Sequence, residues 1–352
     1  MPVLRFGESR LVGDCQPVLV IAEIGQNHQG DVEIALRMIE EAAQAGVDCV
    51  KFQKSSLQHK YAASVLSRRY DSPNSFGDTY GEHKAFLELP KNAFHLLKDK
   101  AASHGLLMSA SAMDEVALDF LVELGVPFIK IGSGDSNNLR LIHKAAKTNI
   151  PLIISTGMSD LSAVERLYEA SSKPLGLLQC TSAYPSSPAD ANLRVLSTYA
   201  EKFQDAVIGF DVPGYSGHEK GFVSTLGAVA REAKIIERHF TLDKQLKGSD
   251  HQCSLNPQEM AEMVKQIRQL ELALGSAHKT FLDCERPCFA KLGKSLVASR
   301  DICQGEVFTI EHLRVKVVEP HGWCPLKEHQ LLGRIASKFI SKDGPITEDC
   351  VQ

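Results

Sequence analysis

An excess of positive charge is missing: 39 Lys and Arg stand against 43 Asp and Glu, for a net charge of −4 and a pI near 6.4. With no global basic field to hold a polyanion, nucleic acid is excluded as the expected partner. Long apolar runs are absent too, none approaching the roughly 20 residues of a membrane span, so no membrane association is expected. Arg5, Glu8, Arg10 and Asp14 occupy the N-terminal stretch where a secretory leader needs an unbroken apolar core. The nine cysteines are an odd, scattered set without a C-x-x-C pair, unlike a secreted disulfide scaffold, and no N-x-S/T acceptor occurs. Both absences point to reduced thiols and a cytoplasmic location. What remains is ordinary in composition, with 43% hydrophobic, 23% charged and 7% aromatic residues, which excludes disordered, collagenous and coiled-coil classes.

From Val18 onward, short β-rich apolar runs alternate with longer helical patterns, the signature of a parallel α/β fold. Strands are expected at Val18–Ile24, Cys49–Gln53, Leu106–Ser109, Phe128–Ile131, Leu152–Ser155, Gly176–Cys180, Val207–Phe210 and Lys234–His239. Eight strand–helix units in succession predict a (β/α)8 TIM barrel rather than an open sheet. The expected organisation is a barrel over residues 1–276, a linker over 277–290 and a small domain over 291–352. In that last part, strand-like pieces fall at Ser295–Ala298, Glu306–Thr309 and Arg314–Val318, with a helical Lys327–Leu332 stopped by Gly333. The segment Ser55–Leu89 shows little periodicity after about Tyr70 and reads as a long loop over the barrel mouth, either a substrate cover or a tolerated insertion.

Functional groups of such barrels sit at the C-terminal strand ends. Read in order, that ring carries Glu23, Asn27, His28, Lys51, Gln53, Ser109, Ser111, Lys130, Ser133, Asp135, Ser155, Thr156, Gln179, Thr181, Tyr184, Ser216, His218, Glu237, Arg238 and His239. Each alone is unremarkable as a surface or structural residue, but a mouth without chemistry has no need to converge them. His218 and His239 at adjacent strand ends are half of a divalent-metal site, or else a pair of hydrogen-bonding histidines. Lys51 and Lys130, with Ser133, Ser155, Ser216 and the backbone amides of Gly132 and Gly134, form a cradle for a phosphate or carboxylate. Asp135 closes the IGSGD run as a base or water-orienting group, or as an ordinary turn residue.

At this point the chain resembles the sialic acid (N-acetylneuraminate) synthases, most closely their animal branch. The resemblance rests on AEIGQNHQG at 22–30, KFQKS at 51–55, TYGEHK at 79–84, VPFIKIGSGDSNN at 126–138, STGM at 155–158, LQCTSAYP at 178–185, YSGHE at 215–219, ERHFTLDK at 237–244 and KGSDHQCSLNP at 247–257. It extends to KLGKSLVASRDICQGEVFTIEHLRVK at 291–316, which resembles the small antifreeze-like SAF (β-clip) domain that ends this family's chains. The resemblance implies condensation of phosphoenolpyruvate with open-chain N-acetylmannosamine, or its 6-phosphate in the animal branch, to a nine-carbon acid and inorganic phosphate. It also implies a divalent metal, Mn or Mg, on His218 and His239, which would polarise the sugar aldehyde. Lys51, Lys130, Ser133, Ser155 and Ser216 then answer to phosphoenolpyruvate contacts. Glu23, Gln53, Tyr184 and Asp250 answer to sugar-side groups, with Ser182 among the substrate-binding residues and Asp135 as the acidic proton handler. A homodimer in which the small domain caps the partner's barrel is likewise implied.

Four departures from the family pattern matter. Lys54 and Lys247 stand where uncharged residues are expected in enzymes using free sugar, which favours a 6-phosphate substrate; the alternative is that either faces solvent, with Arg68 or Arg69 of the loop meeting the phosphate. No arginine occupies the stretch VKVVEPHGW at 315–323 where bacterial members place one in K-R-P-G, leaving Lys316 or His321 in its stead. The run IGFDVPGYSGHE at 208–219 is longer than the pattern, as if Phe210–Gly214 were inserted, either as a bulge that misplaces Ser216 and His218 or as a looped-out turn. Three other readings stand beside the leading one. These are a synthase for free N-acetylmannosamine or mannose 6-phosphate, a non-catalytic ligand-binding barrel, and an aldolase forming a Schiff base on Lys130.

Overall fold

The computed structural model describes residues 2–7, 10–183, 187–212 and 222–352. Two compact units divide at Gly275 and Ser276. Strands β1 (Val3–Phe6) and β2 (Arg10–Gly13) form an antiparallel hairpin ahead of the first unit's barrel. The barrel is closed by eight parallel strands: β3 (Leu19–Gly25), β4 (Cys49–Lys54), β5 (Leu107–Ala112), β6 (Ile129–Ile131), β7 (Leu152–Ser155), β8 (Leu175–Cys180), β9 (Ala206–Val212) and β10 (Ile235–His239). Strand β10 pairs with β3 to complete the ring, so the expected TIM architecture is present.

Strand alternation explains how one sequence builds both a core and a site. Outward residues such as Val20, Ala22, Val50, Phe52, Ile154 and Leu177 pack against the surrounding helices in one large cluster. Inward residues change character along each strand, from Leu19 and Ile21 to Glu23 in β3, from Cys49 to Lys51 in β4, and from Ile235 to Glu237 and His239 in β10. The lower interior is therefore apolar and the upper interior polar. Leu4, Phe6 and Val12 of the hairpin join the lower layer, where Phe6 lies 4.9 Å from Phe128. This hairpin was not foreseen from the sequence.

The helices begin where their caps say they should. Asp31, Asp114 and Asp160 accept backbone N–H bonds at the starts of helices Val32–Gln44, Glu115–Leu124 and Leu161–Ala170. The segment Ser55–Leu89 is not the structureless loop expected. It contains helices Leu57–Lys60, Ala63–Leu66 and Tyr80–Leu87, the last opened by a capping box between Thr79 and Glu82.

The second unit holds an antiparallel pair, β11 (Lys294–Ala298) and β12 (Leu313–Val317), over a small core that includes Leu296, Ile302, Phe308 and Ile346. The expected strand at Glu306–Thr309 is reduced to one bridge between Val307 and Ile335, and the expected helix at Lys327–Leu332 is a 3-10 turn over Pro325–Gln330. Part of the expected linker is helical, Arg286–Leu292, and its Phe289 stacks on His321. No helix of the described residues is long and apolar enough to cross a membrane.

Candidate active site

Five buried charges meet in the upper interior of the barrel. Lys51 Nζ lies 2.5 Å from Glu23 Oε2 and 3.4 Å from Glu237 Oε1, while Lys130 Nζ lies 3.2 Å from Glu237 Oε1 and 3.6 Å from Asp211 Oδ2. Lys51 also donates to Ser111 Oγ at 2.9 Å, and Ser155 Oγ donates to Asp211 Oδ2 at 2.5 Å. Three carboxylates thus face two ammoniums. Burial opposes the charge on Lys130, but Glu237, Asp211 and Glu23 outweigh it and raise its pKa. A lysine held so firmly protonated is a poor Schiff-base nucleophile, which counts against the aldolase reading. Burial also works against the Glu237 carboxylate, yet Lys130 and Lys51 keep its pKa below the usual range. Glu23 is pushed up by burial, against the pull of Lys51.

Asp211 enters this cluster because β9 is longer than expected. Phe210, Asp211 and Val212 do not bulge; they extend the strand, pairing with Ile236, Glu237 and Arg238 of β10, and Asp211 pairs with Cys180 of β8. Phe210 packs outward in the main core, so Asp211 faces the mouth. The expected looped-out turn over Phe210–Gly214 is therefore corrected for its first three residues. The other two, with Ser216, His218 and Tyr184, lie outside the described residues.

Around the cluster, Gln53 Nε2 donates to Glu23 Oε1 at 3.2 Å. Ser133 Oγ accepts the Gly157 N–H at 3.1 Å, and Cys180 Sγ lies 3.3 Å from it. A Cβ on Gly157 would overlap Ser182 Oγ and Ser133 Oγ, so any side chain there would displace both hydroxyls from their present positions. Ser182 also borders a cleft of about 680 Å³ with Thr156, Ser159 and Tyr199. Asp135 ends the 3-10 turn Ser133–Asp135, and burial lifts its carboxyl to about 6 despite the opposing pull of Lys60. That value suits proton transfer near neutrality.

The structure puts other candidates to different use. Lys54 is buried on the outward face of β4, with its ammonium 5.4 Å over the Phe94 ring, 2.5 Å from Glu88 Oε1 and donating to the Leu89 carbonyl at 2.9 Å, so unlike Lys51 it does not face the barrel interior. Lys247 is exposed, with its ammonium 4.7 Å over the Phe76 ring. Lys316 pairs with Asp343 at 2.6 Å, and His321 Nδ1 lies 3.4 Å from Ser295 Oγ. His28 is held neutral, its pKa lowered to about 4 by burial, and its Nδ1 accepts the Gly30 N–H. Asn27 donates to the Phe240 carbonyl and Ser254 Oγ, a structural role.

His239 Nδ1 lies 3.9 Å from Asp250 Oδ2. An imidazole with a nearby carboxylate is a donor set that suits a divalent first-row metal, and the described residues fit it as an open half-site. Among the described residues, no three His, Cys, Asp or Glu side chains gather as a complete ligand group.

Sequence reasoning did not single out Asp211, Lys60 or Lys84, and named Glu237 only as a member of the strand-end ring without a specific role. Glu237 was recoverable from the inward i, i+2 spacing with His239. Asp211 was hidden because its strand was expected to stop at Phe210.

Residues 38–279 match the NeuB family and residues 293–352 the SAF domain. The N-acetylneuraminate-9-phosphate synthase of Mus musculus is 47% identical over an alignment covering 100% of this chain and 98% of that protein. The N-acetylneuraminate-9-phosphate synthase of Drosophila melanogaster is 44% identical over 94% of each. The crystal structure of N-acetylneuraminic acid (sialic acid) synthetase from Leptospira borgpetersenii serovar Hardjo-bovis in complex with citrate is 32% identical. It superimposes with a TM-score of 0.67, covering 82% of this chain and 97% of that one. A closed eight-stranded barrel with a polar mouth, a matching family model over most of that barrel and this degree of identity lead to one conclusion: the chain belongs to the NeuB family and ends in a SAF domain.

Proposed function

We propose that the chain condenses phosphoenolpyruvate with N-acetylmannosamine 6-phosphate, giving N-acetylneuraminate 9-phosphate and inorganic phosphate. The observation that carries this reading is the pair of buried lysines, Lys51 and Lys130, at the mouth of a barrel shared over its whole length with synthases of that name. Their ammoniums receive the carboxylate and phosphate of phosphoenolpyruvate, with Ser133, Ser155 and Ser216 adding hydroxyl donors. Glu23, Gln53, Asp250 and Tyr184 orient the open-chain sugar through its hydroxyls, with Gln53 bonded to Glu23, and Ser182, next to Cys180 and Thr181 at the end of β8, adds a further hydroxyl.

The methylene carbon of phosphoenolpyruvate attacks the sugar aldehyde carbon, forming the carbon–carbon bond as the aldehyde oxygen takes up a proton. Water then adds to the carbon that carries the phosphate. Asp135, with its carboxyl near 6, takes the proton from that water, and the carbon–oxygen bond to phosphate breaks as the keto acid forms. A divalent metal, Mn or Mg, held by His239 and His218 would supply Lewis-acid polarisation of the aldehyde.

All nine cysteines are unpaired thiols, which supports the cytosol as the place of action. Exposed Val315, Val317 and Phe339 on the SAF unit support a homodimer in which that unit closes the partner's barrel and excludes water. The deciding experiment is phosphate release by the purified protein with phosphoenolpyruvate and Mn or Mg. It compares N-acetylmannosamine 6-phosphate, the free sugar and mannose 6-phosphate, with the product identified by mass. A nine-carbon phosphate formed only from the first sugar supports the reading. Binding of phosphoenolpyruvate without turnover on any sugar refutes it in favour of a non-catalytic barrel.

A further inference from the structure

The lysines of the barrel mouth fall into two kinds. Lys51, Lys54 and Lys130 each touch at least one carboxylate. Lys60 and Lys84 touch none among the described residues. Lys60 ends the helix Leu57–Lys60, and Lys84 lies in the helix Tyr80–Leu87. Between them stand Tyr61 and Tyr80, edge to face with ring centroids 5.5 Å apart. Lys60 Nζ sits 5.0 Å over the Tyr61 ring, and both Lys84 Nζ and the Arg68 guanidinium sit 5.6 Å over the Tyr80 ring.

The hydrogen bonds of the two ammoniums are weak compensation for lost water. Lys60 donates to the Met113 thioether at 2.8 Å, and Lys84 to the neutral Gln26 amide oxygen at 2.9 Å. A thioether is a poor acceptor, and a desolvated ammonium without an anion is costly. Burial lowers the pKa of both, and for Lys84 the nearby Lys60 adds to the effect. Asp135, Glu88 and Asp114 partly offset burial at Lys60, and Asp250 and Glu88 do so at Lys84, yet none of these carboxylates contacts either ammonium among the described residues.

We propose that Lys60 and Lys84, with Arg68 at the rim of the Tyr61–Tyr80 pair, form a second anion site that holds the phosphate ester of the sugar substrate. The assignment rests on the synthase reading above, and it replaces Lys54, which faces outward from β4 onto Phe94 and Glu88. A dianionic phosphate bridging two ammoniums gives each the charged acceptor it lacks. The neighbouring tyrosines set the spacing of the cations and supply cation–π support while the site is empty of substrate.

The test uses Lys60→Met and Lys84→Met in the full chain, with Lys60→Arg and Lys84→Arg as charge-keeping controls and thermal melting to confirm folding. Expected is a fall of about 100-fold in kcat/KM for N-acetylmannosamine 6-phosphate in each Met variant, with the KM for phosphoenolpyruvate within about twofold of wild type and partial recovery in the Arg variants. Calorimetric binding of mannitol 6-phosphate, compared with mannitol, reads the same site without turnover. Loss of that binding in the Met variants supports the assignment even in an inactive protein. An unchanged KM for the sugar phosphate, a rise in the KM for phosphoenolpyruvate instead, or mannitol 6-phosphate binding insensitive to both lysines overturns it. A wild type that binds mannitol 6-phosphate through these lysines yet turns over no sugar refutes the synthase reading alone.

Discussion

Replacing Asp211 by Asn tests whether this chain carries a carboxylate where its anionic substrate must bind. Asn keeps the size of the side chain and an acceptor for Ser155 Oγ, and removes only the charge. Asp211 Oδ2 lies 3.6 Å from Lys130 Nζ, worth about 5 kcal/mol at an effective dielectric of about 20. An oxygen of phosphoenolpyruvate taking up Lys130 comes within about 5 Å of the same carboxylate and is repelled by about 3 kcal/mol per unit charge. Burial and the neighbouring Glu237 push the Asp211 pKa up, while Lys130 pulls it down, and the net direction is upward. Partial protonation therefore relieves some of the repulsion as pH falls. Asp211→Asn is expected to lower the KM for phosphoenolpyruvate by between about 10-fold and 100-fold at pH 8, with the difference from wild type narrowing as pH falls. Phosphate release measured against phosphoenolpyruvate concentration at pH 8 and over a falling pH series reads this directly. An unchanged or increased KM at pH 8 would refute the reasoning and show that the carboxylate assists binding.

The remaining expectations concern the base, the histidine and the barrel floor. With its carboxyl near 6, Asp135 acts as a base only when ionised, so kcat should rise with pH through about 6 and then level off. Asp135→Asn should remove that limb and cost about 100-fold or more in kcat, and a retained limb would assign it elsewhere. His239→Ala should abolish metal-stimulated turnover while leaving the melting temperature near wild type; full activity would sink the metal assignment. Phe6→Ala empties part of the layer shared with Phe128 and should destabilise the fold by about 3–4 kcal/mol, measured by urea unfolding. A change below about 1 kcal/mol would mean the hairpin does not anchor the barrel.

The barrel strands were legible because most of them change from apolar to polar along their inward positions, as β3, β4 and β10 do, and several are followed by a helix opened by a capping Asp or Asn. The hairpin was not, since two four-residue strands around Gly7 offer too few alternations to stand out. Helix Tyr80–Leu87 was missed although the Thr79 and Glu82 capping box is plain in the sequence. Gly81 in its first turn weakens the helical pattern, and it is needed because a Cβ there would meet the Leu66 carbonyl oxygen at 2.8 Å. Among site residues, Lys51, Lys130 and Glu23 were legible as strand-end positions. The engagement of Lys54 was not, because its partner Glu88 lies 34 residues away in sequence, and nothing local announces the pair. Asp211 required knowing that three residues of an apparent insertion lengthen a strand.

The hairpin that closes the lower barrel makes the interior a vessel with one opening. Leu4, Phe6 and Val12 seal the far end with almost no exposure, so whatever reaches Lys51 and Lys130 has passed the rim and must leave by it. If the two anion sites are as proposed, a molecule on the fully buried Lys51 and Lys130 sits deeper than one on the half-buried Lys60 and Lys84, and would leave after it. Traffic through such a vessel is stacked like plates: the first reactant in is the one lying deepest, and nothing formed at the bottom departs before the upper berth is cleared.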